Sequence, residues 1–329
     1  MEIKKALFYR NISLFFFVVL SAIKRKESQM FQEFIQHLEN SGVSKLTITS
    51  YKVSWKRFEN WFWSMNLDTK VNTVYATQKD IADFKRYLEM AGGRNGKPAA
   101  PSTKNLTFIH LNAIFKFFAE KGYIPDNPVG PIKKPPRARR QPKWLTRNEQ
   151  NALLREVRFR GSVRENAIIL TFLRLGLRVH ELCELQLTDL TMSERKGTAY
   201  IRGKGDKDRE LPLSSELRTA LQAYLDERDD LSPYVFVSMR SPKCTERGIQ
   251  HIIEKYRDFT RIQHLSCHAL RHTFGHDLVT ANPPVPLDQA ATLMGHFKED
   301  GTPNIEMTMI YTTPSTEDLE AAVERISWT

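Results

Sequence analysis

Cysteine is scarce, and its placement rules out the jobs that need several of them. Cys183, Cys244 and Cys267 are odd in number and scattered, with no C-x-x-C pair and no cysteine–histidine ligand spacing. A disulfide framework and a zinc site are therefore not expected. Three isolated thiols suit a reducing cytosol, where each acts as small buried filler. Acidic residues are also in deficit: 38 Asp and Glu face 49 Lys and Arg, a formal charge of +11 over 329 residues. The excess points to a polyanionic partner, either nucleic acid or an acidic membrane surface. No apolar run is long enough to cross a bilayer easily. The stretch from Ile12 to Ile23 falls short of a span, and Lys24, Arg25 and Lys26 directly behind it oppose export. Residues 1–29 are read as an N-terminal extension of uncertain role. A helix packed on the body and a membrane contact remain the alternatives, and no stable membrane association is expected.

What is present is the composition of a folded protein. Apolar residues make up 41% and aromatic residues 10% of the chain, too much for a disordered basic tail. The length accommodates two domains, each able to bury its own core.

From Met30 onward, apolar residues recur at helical spacing in four blocks, predicting helices over Phe31–Glu39, Leu46–Trp63, Gln78–Glu89 and Ser102–Ala119. Tyr51, Trp55, Phe58, Trp61 and Phe62 form an aromatic stripe on the second, read as core in preference to a base-stacking platform. Ser102 is the expected N-cap of the fourth. Residues 30–130 thus form one helical domain. Between Asn127 and Trp144 the chain reads NPVGPIKKPPRARRQPKW, whose five prolines forbid regular structure. Residues 131–143 are a linker. Its basic residues Lys133, Lys134, Arg137, Arg139, Arg140 and Lys143 stand with no acid among them. Such a run resists compaction unless a polyanion neutralises it, so contact with a DNA backbone is favoured over a solvated spacer. Lys104, at the start of the fourth helix, is grouped with them.

The second domain, residues 144–329, opens with a capping box, Thr146 followed by Glu149. A helical stretch from about Arg164 to Leu187 breaks at Gly176. TAYIRGKGDKDRELPL then predicts two antiparallel strands around a Gly203–Asp206 turn. From Ser214 onward the spacing is helical again, so the whole chain is mainly α with a small antiparallel sheet.

Taken singly, the chemistry-bearing residues are unremarkable. Arg178 and Glu181 lie three apart, a salt-bridging distance on a helix. Lys204 sits between two glycines at the hairpin tip, where lysine is ordinarily solvated. In HLSCHALRHTFGHDL, Leu270, Phe274 and Leu278 predict one buried side, with His268 and Arg271 together on another. His296 ends LMGH, and Tyr311 follows in MTMIYTTPS, where it reads as a half-buried strand end or turn.

In their order the fragments say more. TFLRLGLRVHEL, GKGDKDRELPL, HALRHTF, LMGH and IYT resemble, one after another, the motifs of the tyrosine recombinases of the lambda-integrase or Xer-like type. The resemblance runs from about Met30 to the C-terminus. It implies a C-shaped DNA clamp, with residues 30–130 as a SAM-like core-binding domain and residues 144–329 as the catalytic domain. It also implies metal-free and cofactor-free strand exchange. Tyr311 would attack the scissile phosphate to give a 3′-phosphotyrosine, and Arg178 and Arg271 would grip the non-bridging oxygens. Lys204 would be the general acid, His268 the base or positioning group, His296 a donor to the phosphate, and Glu181 a residue orienting a neighbour. Implied too are double-stranded DNA with inverted-repeat sites, a Holliday junction and a homotetramer on DNA. The protomers would be joined by exchange of the C-terminal helix (STEDLEAAVERI, apolar at Leu319, Val323 and Ile326), with accessory or directionality proteins as further partners. The expected location is the cytoplasm, at the nucleoid.

One stretch departs from the family pattern. FKEDGTPNIE, between His296 and Tyr311, is longer than the usual short connection, and is read as a surface loop leaving Tyr311 mobile, with reach into a partner's active site left open beside the family's usual cleavage in cis. A type IB topoisomerase-like nicking and closing enzyme, or an inactive DNA-binding regulator on the same scaffold, are the competing readings. The job of the recombinase is read as integration, excision or resolution of a mobile element.

Overall fold

The computed structural model describes residues 28–65, 72–130, 142–203, 207–238 and 241–313, with 319, 320, 323, 324 and 326. The chain divides into two compact units, Met1–Arg139 and Arg140–Thr329, a boundary that falls inside the predicted linker.

The first unit contains α1 (residues 28–40), α2 (Lys45–Met65), α3 (Gln78–Met90) and α4 (Pro101–Glu120). All four predicted helices are present, each within three residues of its expected ends. Thr77 and Asp80 cap α3 reciprocally, which satisfies donors that a helix start otherwise leaves open. Ser102 is not the cap of α4. Ala100 takes that place without a side-chain bond, and Pro101 occupies the first helical position, where its missing N–H costs nothing. The aromatic stripe of α2 is core: Trp55, Phe58, Trp61 and Phe62 are buried, and Tyr51 is half-buried against the same cluster. Phe58 meets Phe84 of α3 edge-on at 5.0 Å, and Trp55 meets Phe118 of α4 edge-on at 5.8 Å. Such tilted pairs add to simple burial.

The second unit is built around α6 (Val163–Leu175), buried from Ala167 to Leu173 without a polar face. A helix apolar all round belongs in the middle of a domain. Around it pack α5 (Arg147–Arg160), α8 (Ser215–Glu227), α9 (Glu246–Thr260) and α10 (Cys267–Val279), all drawing on one core. The Thr146–Glu149 capping box forms as expected. Gly176 ends α6 in the left-handed region at φ 58°, which a residue with a Cβ adopts only with strain. This turn releases the chain into the short α7 (Val179–Glu184).

The sheet has three strands, one more than predicted: β1 (Leu190–Met192), β2 (Gly197–Ile201) and β3 (Arg209–Pro212), antiparallel in that order. β1 is too short to show a period of its own, and its pairing with β2 alone defines it. The β2–β3 connection is longer than the predicted turn, spanning 202–208. Gly203 donates its N–H to Asp208 at 2.7 Å there. After α10 come α11 (Leu287–Met294) and α12 (Ile305–Thr308). The three cysteines are free and buried. Burial pushes the thiols of Cys183 and Cys267 up to about 12 and about 11, which fits the filler reading. Among the described residues no helix is long and apolar enough to cross a membrane.

Candidate active site

Arg178 follows the Gly176 turn and forms the N-cap of α7. Its backbone N–H and its guanidinium both donate to Glu181, at 2.7 and 3.0 Å, and Nη2 reaches the Gly295 carbonyl at 3.4 Å. Glu181 is far more than a helix-surface partner. It is 4% exposed, and Arg209 of β3 closes on it with both terminal nitrogens, at 3.1 and 3.0 Å. Burial alone would raise the Glu181 carboxyl, but Arg209, then Arg178, outweigh it and hold it at about 2.

Arg271 lies on α10 and is buried, donating to the carbonyls of Gly176 and Met294. Its Nη1 is 3.9 Å from Glu181. Burial, followed by the Arg178 charge, lowers its guanidinium to about 10, so it stays cationic at neutral pH. Two arginines from distant parts of the chain thus share one buried carboxylate, and their like charges are held close together. That arrangement favours an anion.

His296 follows α11, buried and hydrogen-bonded through Nδ1 to Thr308 Oγ1 at 2.9 Å. Its ring lies nearly parallel to that of Tyr311, 12° apart with centroids 6.2 Å apart. Burial, then Arg271, Arg178 and Arg209, lower the imidazole to about 3. Tyr311 lies at a turn, one of the two positions read for it, but it is buried and not half-buried. It ends a 3-10 turn, Met309–Tyr311, and is 2% exposed. Burial raises its phenol, opposed by Arg271 and then Arg178.

The connection FKEDGTPNIE is a surface loop, as read, but an ordered one. Phe297 bridges Pro303, Lys298 donates its backbone N–H to the Thr302 carbonyl at 2.8 Å, and Asn304 caps α12. Tyr311 is therefore packed among residues of its own chain, against the expectation of a mobile tether.

Expected site residues fall into three groups. Arg178, Arg271, His296, Tyr311 and Glu181 come together. His268 is exposed on α10, and its described contact is a ring approach to His272 at 6.4 Å. Lys204 and the linker residues Lys133, Lys134, Arg137, Arg139 and Arg140 lie outside the described residues; Lys143 is exposed, and Lys104 is half-buried in the first turn of α4. The predicted buried side of α10 needs correction. Phe274 and Leu278 are only half-buried, while Ala269, Leu270, Arg271, Thr273 and Gly275 are buried, because α10 packs on both α6 and the Tyr311 turn.

Three residues escaped the sequence reading. His272 places Nδ1 3.0 Å from the Tyr311 hydroxyl; its four-residue spacing from His268 puts both on one helix face, a signal that was available. Arg209 alternates in register with Leu211 on the inward face of β3, so a charge on an apolar face was its signal. Thr308 gave none. In the first unit, Arg57, Arg94 and Lys97 line a groove with Trp61 and Tyr87 beside the start of α4. Among the described residues no cluster of three or more His, Cys, Asp or Glu is arranged to hold a metal ion.

Residues 143–318 match the phage integrase family. The chain is 30% identical over 306 residues to the tyrosine recombinase XerA of Pyrococcus furiosus, covering 92% of this chain and 95% of that protein. It is 28% identical over 308 residues to the tyrosine recombinase XerC of Bacillus pumilus, covering 90% and 94%. Among solved structures, the XerH site-specific recombinase bound to its difH substrate superposes with a TM-score of 0.66 at 21% identity, covering 90% of this chain and 84% of that one. The likeness to that structure is one of fold. Together with a buried tyrosine set against two arginines that share one carboxylate, these matches show that the chain belongs to the phage integrase family and is a tyrosine recombinase.

Proposed function

We propose that this recombinase cuts and rejoins duplex DNA at inverted-repeat sites through a 3′-phosphotyrosine on Tyr311. The supporting observation is the convergence of Tyr311 with Arg178 and Arg271, the two cations joined through Glu181. A phosphodiester entering there has its non-bridging oxygens met by guanidinium donors, which suit it geometrically. Tyr311 Oη bonds to phosphorus, the P–O5′ bond breaks, and the bond energy is conserved for rejoining. Lys204 supplies the proton to the departing 5′ oxygen, His296 donates to a non-bridging oxygen, and His268 is a positioning group for the phenol. No cofactor takes part. The seat of Tyr311 among its own chain's residues supports cleavage in cis.

DNA as the partner is supported by the +11 charge and by similar folds solved on DNA, XerH on difH and a lambda integrase dimer on a COC′ core site. Residues 30–130 bind the site's core, with Lys104, Arg57, Arg94 and Lys97 toward the phosphates. The linker basics Lys133, Lys134, Arg137, Arg139, Arg140 and Lys143 follow the backbone between the domains, which clamp the duplex. Four protomers exchange strands in pairs through a Holliday junction. Exposed Leu319, Val323 and Ile326 support docking of the C-terminal segment on a neighbour. The reaction takes place in the cytoplasm at the nucleoid, helped by accessory or directionality proteins. It serves integration, excision or resolution of a mobile element; the fold likeness includes the Tn1549 transposon integrase.

A nicked suicide duplex, selected from sites the protein binds, tests the reading. Wild type forms a covalent adduct with it, and Tyr311→Phe binds without forming one. An adduct from Tyr311→Phe would remove the nucleophile. Efficient relaxation of plasmids lacking the site would replace recombination by nicking and closing.

A further inference from the structure

Tyr311 must lose its hydroxyl proton as it attacks phosphorus, and something within reach must receive it. Candidates are few: among the described residues the charged or titratable groups around the phenol are Arg178, Arg271, His272 and His296, with His268 one helical turn away from His272. The two arginines have no lone pair to offer. His296 lies parallel to the ring and spends Nδ1 on Thr308. His268 is exposed and makes no hydrogen bond to Tyr311 among the described residues. Among the described residues His272 alone meets the hydroxyl, Nδ1 to Oη at 3.0 Å, and the phenol ring is fixed where it is by its packing on Gly275 of the same helix, whose missing side chain leaves the space the ring fills.

We propose that His272 is the proton acceptor for Tyr311 in cleavage and the proton donor in rejoining. The proposal rests on Tyr311 being the nucleophile. In cleavage the Oη–P bond forms, the P–O5′ bond breaks, and the phenolic proton passes to Nδ1 of His272, while the 5′ oxygen takes its proton from a separate donor, Lys204 in the reading above. In rejoining the 5′ hydroxyl attacks phosphorus and returns its proton to that separate donor, the P–Oη bond breaks, and the released Tyr311 oxygen recovers its proton from the His272 imidazolium. One group acting in both directions suits a reaction that begins and ends with a phosphodiester.

The electrostatics agree with this geometry. Burial, then His268 and Arg271, bring the His272 imidazole down to about 4, so at neutral pH it is uncharged. With the ring proton on Nε2, Nδ1 is free to accept from the phenol. A phosphate held by Arg178 and Arg271 offsets the charge that depresses His272, so the base strengthens when substrate arrives. The phenol oxygen turns strongly acidic as it bonds to phosphorus, so the acceptor needs position more than basicity.

The test uses full-length His272→Ala and His272→Gln on a nicked duplex that wild type cleaves, with melting temperature and gel-shift affinity as checks on folding and binding. Removing a positioned base is expected to slow adduct formation by about 100-fold or more. Added imidazole restores part of the rate of His272→Ala in proportion to its concentration. The rate of the variant then climbs with pH beyond the range in which wild type has levelled off, because the phenol must ionise unaided. Gln, which accepts a hydrogen bond but not a proton, stays slow. A His272→Ala rate within about three-fold of wild type overturns the proposal, as does a His272→Gln rate equal to wild type. So does a slow His272→Ala with no imidazole rescue and an unchanged pH profile, and so does rescue confined to His268→Ala. Failure of the underlying reading looks different: Tyr311→Phe would still form the adduct.

Discussion

Arg209 grips Glu181 with both terminal nitrogens in a place where the arginine side chain is 3% and the carboxylate side chain 1% exposed. Glu181 in turn holds Arg178. Arg209 is thereby a positioning residue for an arginine that meets the phosphate in the proposed reaction, with Glu181 as the coupling between them.

Arg209→Met leaves a buried carboxylate with its principal partner gone. Removing one member of such a pair costs roughly 3–5 kcal/mol, readable as a lowered urea midpoint with unchanged slope. The surviving folded protein should bind DNA nearly as well as wild type and cleave it more slowly, because Arg178 is no longer held. Wild-type stability in Arg209→Met would show that the contact carries no weight.

Gly275→Ala tests whether the seat of the nucleophile matters. A Cβ there would meet the Tyr311 ring at 2.7 Å, so the ring must move, and a displacement of about 1 Å can cost on the order of 100-fold in rate. Alanine is the better helix former by about 1 kcal/mol, so stability should fall less than activity. The check is single-turnover adduct formation beside a thermal melt. Equal losses in both would assign Gly275 to folding alone.

Thr308→Val removes the partner of His296 Nδ1 without changing shape much. The Thr308 hydroxyl lies 2.9 Å from His296 Nδ1 and donates to the Asn304 carbonyl at 3.2 Å, so it orients the imidazole and fixes its tautomer. Valine leaves the tautomer free, and cleavage should slow by about 10-fold, the low end for loss of an orienting partner. DNA affinity measured by gel shift should hold.

Acid should destabilise the second unit in a defined window. His296 and His272 are lowered from 6.5 to about 3 and about 4, so between those values and 6.5 the unfolded chain binds protons that the folded chain does not. Stability is therefore full above about pH 6.5 and is lost as pH falls toward 4, by at most about 1.4 kcal/mol per pH unit for each histidine. Glu181, lowered from 4.5 to about 2, adds to the loss below pH 4.5. His296→Asn should flatten the fall in melting temperature between pH 6.5 and 4. An equally steep fall in that variant would place the titration elsewhere.

The sequence by itself determined the helices of the first unit, the break at Gly176 and the β2–β3 hairpin, while the resemblance of its motifs to the tyrosine recombinases singled out Arg178, Arg271, His296 and Tyr311, which the fold brings together. Helical spacing, capping pairs and glycine are local signals, and local signals survive in one dimension. It also led to an N-cap at Ser102, because a cap is decided by the backbone angle at one residue and Pro101 supplied that. Only the tertiary structure decided the rest. β1 exists through pairing with β2. Arg209 became the partner of Glu181 through the fold of β3 over α7, and Thr308 reached His296 by the turn of an ordered loop. His272, and not His268, came to meet Tyr311, since two histidines on one helix face differ only in what packs above them. Proton transfer and charge pairing act over about 3 Å, and distances of that size between residues far apart in the chain are set by packing.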